Sequence, residues 1–331
     1  MIPDSKLASH KPLALEALGR ETIALAIPAY NSAWSLPRLL TSATAQAFPF
    51  DEILVYDDRS TDTTAEIAAG SGAAVIRGES NIGCSAGKNR LLQETKCKWI
   101  HFHDADDELL PNFTSLAHRW VVSPNCPDVV IFDYEYRDND TGELLARVSF
   151  DDTRLSCDPV QYAIVQQINP FCGLYRVQRL REVGGYDLDP KILYNEDVAF
   201  HCKLALQGFS FRAENEVSII NYRVRNSMSG SNDLKCLKAQ HTVMKNVAAA
   251  VGTKYREEIA TRLWYLATSY ACRLMWKEMD EVLHDALEEF PGIPPEQSRI
   301  FRMLCRIFGP HLGFRLREYL LRLLKPHTRT A

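Results

Sequence analysis

Asp104-Ala105-Asp106 follows a short apolar run, Trp99 to His103. In an extended segment residues i and i+2 point the same way, so both carboxylates face one site. Two carboxylates converging at a strand end suit a hard divalent cation that also holds phosphate oxygens. The same residues also read as a solvated acidic turn, since Asp107 and Glu108 continue the charge.

The elements that must position this pair are visible upstream. Ile23 to Ile27 is a buried strand ending at Pro28, Ile53 to Tyr56 a second, Ala73 to Arg77 a third and Trp99 to His103 a fourth. Helical spacing occupies Ser35 to Gln46 (Leu36, Leu39, Leu40, Ala43), Thr63 to Gly70 and Gly87 to Thr95. Strands alternating with helices at this pace specify an α/β fold with a parallel, doubly wound sheet. Such sheets bind ligands at the carboxyl ends of their strands. Tyr30 and Asn31, Asp57 and Asp58, and Asp104, Asp106 and Asp107 stand at those ends. Ile131 to Tyr136 and Phe171 to Tyr175 are strands of a less regular region. From Leu234 the chain turns helical: Leu234 to Val251, Tyr255 to Met279, Glu281 to Phe290, Ser298 to Phe308 and Leu312 to Lys325.

Several chemistries are excluded. Pro28-Ala29-Tyr30-Asn31 stands where a dinucleotide site needs its glycines, and no Gly-rich loop ends in Lys-Ser or Lys-Thr. The Gly-x-Ser-x-Gly of an α/β-hydrolase is absent. No uncharged apolar run reaches the roughly 18 residues of a transmembrane helix. The 9 cysteines are scattered without a Cys-x-x-Cys pair, which argues for reduced thiols and a cytoplasmic location. The first 20 residues lack the apolar core of a secretory signal. The net charge of -4 is unevenly spread. Arg299 to Ala331 holds eight Lys or Arg and one acid, which leaves 30 basic and 41 acidic side chains before it, net -11. An acidic body is a poor nucleic-acid binder.

Seven pieces in order carry a more specific message. They are Ile27-Pro28-Ala29-Tyr30-Asn31, the stretch Glu52 to Asp62, Asn81-Ile82-Gly83, Gly87-Lys88-Asn89, His103 to Asp107, Val183-Gly184-Gly185-Tyr186-Asp187 and Asn195-Glu196-Asp197. Together, over about Thr22 to Ser231, they resemble glycosyltransferase family 2, inverting enzymes of the GT-A fold. The resemblance implies a GT-A-like, mainly parallel sheet over 21–233, after an extension over 1–20 and before a helical region over 234–331.

It also implies roles. Pro28, Tyr30 and Asp58 would hold the nucleotide base of the donor, Tyr30 by stacking and Asp58 by accepting from a base N–H. Tyr30 also reads as a packed loop aromatic, and Asp57 as a cap. Lys88 would contact base or diphosphate, or is an exposed helix lysine. Asp104 would face the ribose and Asp106 would ligate Mn²⁺ or Mg²⁺ at the diphosphate. Asp197 would be the general base, with Glu196 its neighbouring rival, or the two acids simply open a helix running to Leu206, where they favour its dipole. Two departures stand out. Arg59 replaces a common Gly, so the turn after Asp58 is expected to differ. Tyr222-Arg223-Val224-Arg225 lacks the usual His, and Arg225 would clamp the diphosphate instead, or is a surface arginine.

The implied activity is sugar transfer from a nucleotide-diphosphate donor, expected to be UDP-linked, to a glycan or lipid-linked acceptor in surface or extracellular glycan synthesis. The alternatives from other classes are a metal-dependent phosphohydrolase and a non-catalytic sugar-nucleotide binding protein. The basic end has its own pattern. Leu316, Tyr319, Leu320, Leu323 and Leu324 form one apolar helix face, and Arg315, Arg317, Arg322 and Lys325 flank or oppose it. Such a helix either packs on the preceding helices, with a homodimer as one form of that packing, or lies on an anionic membrane as a peripheral contact.

Overall fold

The computed structural model describes residues 20–224, 232–294 and 297–324. One sheet of nine strands organises the first two thirds of the chain, in the order β3-β2-β1-β4-β8-β6-β9-β5 with β7 paired to β6. The strands are β1 (Ile23–Ala29), β2 (Glu52–Asp57), β3 (Ala74–Arg77), β4 (Trp99–Phe102), β5 (Glu108–Leu109), β6 (Val129–Asp138), β7 (Leu144–Val148), β8 (Gly173–Arg176) and β9 (Phe211–Arg223). The helices between them are α1 (Leu36–Thr44), α2 (Thr64–Gly70), α3 (Cys84–Glu94), α4 (Phe113–Val121), α5 (Asp152–Cys157), α6 (Pro159–Val165), α7 (Val177–Glu182) and α8 (Glu196–Leu206). After the sheet come α9 (Asp233–Val251), α10 (Arg256–Cys272), α11 (Trp276–Glu289), α12 (Arg299–Phe308) and α13 (Pro310–Leu324).

The pairing of β1 with β2 and β4, and of β2 with β3, is parallel, as is that of β6 with β9. The strands β5, β7 and β8 run against the rest. The α/β, mainly parallel sheet with a C-terminal helical extension read from the sequence is the architecture observed. Strand β1 is buried almost throughout, the pattern of a parallel strand covered on both faces. It continues through Pro28 to Ala29 although proline donates no ladder hydrogen bond. The β1–β4 ladder ends at Ala26 opposite Phe102, so that ladder loses nothing to the proline.

Packing follows the expected faces. Leu36, Leu39, Leu40 and Ala43 of α1 are buried at i, i+3, i+4, i+7. Helix α3 lies close to β2, for a Cβ at Gly87 would sit 2.9 Å from Tyr56 Cδ1. A second apolar core gathers Trp264, Tyr270, Met279, Leu283, Phe301 and Phe314 of the C-terminal helices with Ile164 and Val198 from the sheet side.

Three readings of the sequence need correction. The continuous helix expected from Tyr255 to Met279 is two helices. Leu274 takes φ 58° between them, and the amides of Leu274 and Met275 return to the carbonyls of Ala271 and Tyr270. This is a left-handed helix end built without glycine, so no punctuation marked it. Strand β9, 13 residues long, was not foreseen, since its Glu214, Asn215 and Glu216 interrupt the apolar run. Finally, the apolar stripe of α13 is not packed within the chain beyond Leu316, which is half-buried. Phe314 and Glu318 are the buried side, while Tyr319, Leu320, Leu323 and Leu324 face outward.

Candidate active site

The loops after β1 and β2 are tied together before any side chain reaches the cleft. Asn31, at φ 49°, donates its amide to Ser60 Oγ (2.9 Å) and accepts from the Thr61 amide through Oδ1 (2.8 Å). Ser32 and Ala33 donate their amides to Thr64 Oγ1 and Asp62 Oδ2. Buried Asp57 accepts from the Ser60 amide and Arg77 Nε, so it fixes the turn and does not cap α2, which begins at Thr64. Arg59 adopts φ 65°, the left-handed region that favours glycine. The turn expected to differ keeps a glycine-like conformation with an arginine in it. Asp58 accepts from the amides of Ile82 (2.7 Å) and Gly83 (2.8 Å), one on each carboxylate oxygen. It shapes the Asn81-Ile82-Gly83 loop from behind and is not among the residues lining the cleft.

A cleft of about 720 Å³ opens at these strand ends. Pro28, Tyr30, Lys88, Asp104, Asp106 and Asp197 all line it, and so does Glu196. Tyr30 is exposed, as is Trp34, so Tyr30 is a free ring face and not a packed loop aromatic. The far wall comes from Tyr134, Tyr136, Gln167, Asn169, Phe171 and Tyr194. Arg225 lies outside the described residues.

The acidic run after β4 divides by function. Asp107 is buried and points inward, where Asn221 Nδ2 donates to both of its oxygens (3.0 and 2.8 Å) and the Tyr222 amide to one (2.9 Å). The solvated acidic turn is thereby excluded for Asp107, which pins the loop to β9. Arg38 donates to the Asp106 carbonyl and to Asn139 Oδ1, and its guanidinium lies 3.7 Å from the centre of the Tyr222 ring. Asp104 and Asp106 remain for the cleft. Burial, then the charge of Asp104, pushes the Asp106 carboxyl up to about 6.

Among the described residues lining the cleft Lys88 is the cation, with its ammonium 3.4 Å from Asp104 Oδ1 and its side chain only 4% exposed. The exposed helix lysine of the alternative reading is excluded. Burial works against its charge, but Asp104, Cys84, Asp197 and Glu196 hold its pKa well above the ordinary lysine value. Burial lifts Glu196 to about 7, with the charge of Asp197 adding to it. Asp197 is lifted to about 6 by burial, against the pull of Lys88.

Behind the acids stand neutral histidines. His201 Nδ1 lies 2.9 Å from the Asp197 carbonyl, which can only accept, so this nitrogen carries the proton and Nε2 accepts from the Tyr175 hydroxyl (2.9 Å). By the same logic His101 Nδ1 donates to the Gly173 carbonyl (2.8 Å) and His103 Nδ1 donates to His101 Nε2 (2.9 Å). Burial lowers His201 to about 4 and His103 to about 3, which keeps both rings uncharged at neutral pH. Asn89 exchanges two hydrogen bonds with the backbone of Tyr186 (2.9 and 2.8 Å), whose ring stacks on Phe200 at 3.9 Å. Through these contacts α3, the Gly184-Gly185 turn and α8 present Lys88 and Asp197 to the same space.

Sequence reasoning missed Arg38, Trp34, Cys84 and Asn221. Arg38 and Asp106 are 68 positions apart and Asn221 and Asp107 are 114 apart, so no local spacing signals either contact.

Residues 24–183 match the family model described as Glycosyl transferase family 2. The chain is 23% identical over 230 residues to the putative teichuronic acid biosynthesis glycosyltransferase TuaG of Bacillus subtilis, an alignment covering 68% of this chain and 88% of that protein. It is 24% identical over 250 residues to the UDP-Glc:alpha-D-GlcNAc-diphosphoundecaprenol beta-1,3-glucosyltransferase WfaP of Escherichia coli, covering 74% and 92%. Other matches span only 31% to 45% of the relatives' lengths. The crystal structure of S. aureus TarS 1-349 in complex with UDP-GlcNAc superposes with a TM-score of 0.67 at 18% identity, covering 91% of this chain and 92% of that one, which establishes a shared fold. The matched segment, residues 24–183, belongs to glycosyl transferase family 2, and its motif residues converge with Glu196 and Asp197 on one cleft of this fold.

Proposed function

We propose that the cleft moves a sugar from a nucleoside-diphosphate donor, UDP-linked, to an acceptor hydroxyl with inversion at the anomeric carbon, in surface glycan synthesis. The observation that carries this reading is that two acidic pairs, Asp104 with Asp106 and Glu196 with Asp197, line one cleft with buried Lys88 between them in charge. The names of TuaG and WfaP support the surface-glycan context, and that of WfaP supports a UDP-linked donor and a lipid-linked acceptor. Residues 21–233 are assigned to catalysis and 234–331 to a separate helical region.

Tyr30 offers its ring face to the base, and Pro28 and Asp58 shape the base pocket. Asp104 and Lys88 lie toward ribose and diphosphate, and Arg225 clamps the diphosphate. Asp197 accepts the proton of the acceptor hydroxyl as that oxygen attacks the anomeric carbon. The bond to the diphosphate breaks on the opposite face, so no covalent sugar–enzyme link forms. A base near 6 is ionised at neutral pH yet basic enough to take a proton in the transition state.

The donor set also fits a divalent cation. Asp106 is raised by burial and then by the neighbouring charge of Asp104, and a cation relieves that like-charge crowding. Among the described residues no group of three or more His, Cys, Asp or Glu completes a metal set. Asp106, assisted by Asp104, would therefore hold Mn²⁺ or Mg²⁺ together with diphosphate oxygens. The metal would neutralise charge on the leaving diphosphate.

The test is a panel of nucleotide sugars with and without Mn²⁺, read first as thermal shift and then as transfer to a soluble glycan acceptor. A UDP-sugar should raise the melting temperature more than the other donors, with a larger rise in Mn²⁺. Donor cleavage equally fast without acceptor would point to a phosphohydrolase, and donor binding without turnover to a binding protein.

A further inference from the structure

Helices α12 and α13 are anchored inward by aromatic rings. Phe301 and Phe314 pack edge-to-face at 4.8 Å and both meet Trp264 of α10. Gly313 lets the two helices approach, since a Cβ there would lie 2.7 Å from Cys305 Sγ. Arg315 pairs with Asp280 (2.6 Å) and Arg317 with buried Glu318 (3.2 Å). The pair is therefore docked, and its outward side is not a surface awaiting the protein's own core.

That outward side is apolar on both helices. On α12, Ile300, Met303 and Ile307 recur at helical spacing, with Ile300 69% exposed. On α13, Tyr319, Leu320, Leu323 and Leu324 continue the exposure, with Leu323 at 65%. Scattered exposed leucines are ordinary, but a run of them along two packed helices marks an interaction surface. Arg299 and Arg306 are exposed on α12 and form no ion pair among the described residues. Between Arg299 and Leu324 the one acid is Glu318, which is buried and turned away.

We propose that this α12–α13 face docks on an anionic lipid bilayer, with the leucines in the acyl boundary and the unpaired arginines against lipid phosphates. The charge selects this occupant over a second copy of the chain. An isologous contact through the face would bring arginines together with no acid on it to compensate. Among the described residues no helix is long and apolar enough to cross a membrane, so the contact is an interfacial one. The proposal does not depend on sugar transfer, and its readout needs no activity.

The experiment is flotation of the full chain with phosphatidylcholine vesicles and with vesicles holding about 30% phosphatidylglycerol, at about 0.05 M and 0.5 M NaCl. The protein should float with the anionic vesicles at low salt, release at high salt and ignore the neutral ones. Ile307→Glu with Leu323→Glu should lower binding at least about tenfold. Arg299→Glu with Arg306→Glu should remove the preference for anionic lipid. All four positions are exposed, so melting temperatures should stay at the wild-type value, as should transfer to a soluble acceptor. Failure to float at low salt, or flotation unaltered by the Glu variants, would overturn the proposal. A dimer by light scattering that Ile307→Glu with Leu323→Glu dissolves would assign the face to a second copy instead.

Discussion

The ammonium of Lys88 lies 3.4 Å from Asp104 Oδ1, buried at the junction of the two acidic pairs. Lys88→Met should separate its two effects. Loss of the partner should destabilise the fold by about 1–2 kcal/mol, less than for a fully buried pair because Asp104 is partly exposed. Without the ammonium that pulls Asp197 down, the acid limb of the pH–rate profile should move to higher pH. Denaturant unfolding and a pH series of kcat/KM check these outcomes. An unmoved acid limb would mean that Lys88 does not sense the proposed base.

Asp197→Asn keeps size and removes the proposed base. Transfer should fall by roughly 10² or more, while the thermal shift with donor and Mn²⁺ persists. A variant near the wild-type rate would pass the role to Glu196, which Glu196→Gln then tests.

The pH dependence has a definite sign. In the proposed role Asp197 must be ionised to act, so kcat/KM should fall about tenfold per unit below about pH 6 and level off above. In the free protein Glu196 and Asp197 sit above their ordinary values. Their contribution to stability is therefore full at low pH and is lost as pH rises through about 6 and 7. Neutral His103 and His201 act in the opposite sense, being lost as pH falls toward about 3 and 4. The difference between wild type and Glu196→Gln with Asp197→Asn isolates the acids. The variant should gain melting temperature relative to wild type between about pH 4 and 7, and a constant difference would contradict the assignment.

Asp106→Ala should abolish the extra thermal shift that Mn²⁺ gives with a nucleoside diphosphate, and chelation should reduce transfer by wild type to the level of that variant. Because Arg38 and Asn221 hold the loop through the Asp106 carbonyl and Asp107, the variant should remain folded. Transfer undiminished by chelation would remove the metal from the reaction.

Arg59→Gly should stabilise the protein by about 0.5–1 kcal/mol. It relieves a left-handed residue worth roughly 1–2 kcal/mol and returns part of that as chain entropy. Urea melts read the change. Destabilisation would show that the arginine side chain contributes more than its backbone strain removes.

The sequence by itself determined the alternation that makes a parallel sheet and the acids at its strand ends. Both are local, since burial on two faces enforces apolar runs and i, i+2 spacing aims Asp104 and Asp106 together. It also contained Lys88, but not its burial. Only tertiary structure decided that Lys88 meets Asp104, that Asp107 turns inward to Asn221, and that Asp58 braces the loop at Ile82 and Gly83. These contacts join residues far apart in the chain, and a charged side chain reads the same in sequence whether solvated or paired. The helix end at Leu274 was hidden because packing holds a left-handed residue that propensity disfavours. The leucine stripe of α13 illustrates the same limit. Spacing defines an apolar face, but which side of the helix meets the core was set by Phe314 and Phe301 packing on Trp264, which left the leucines outside.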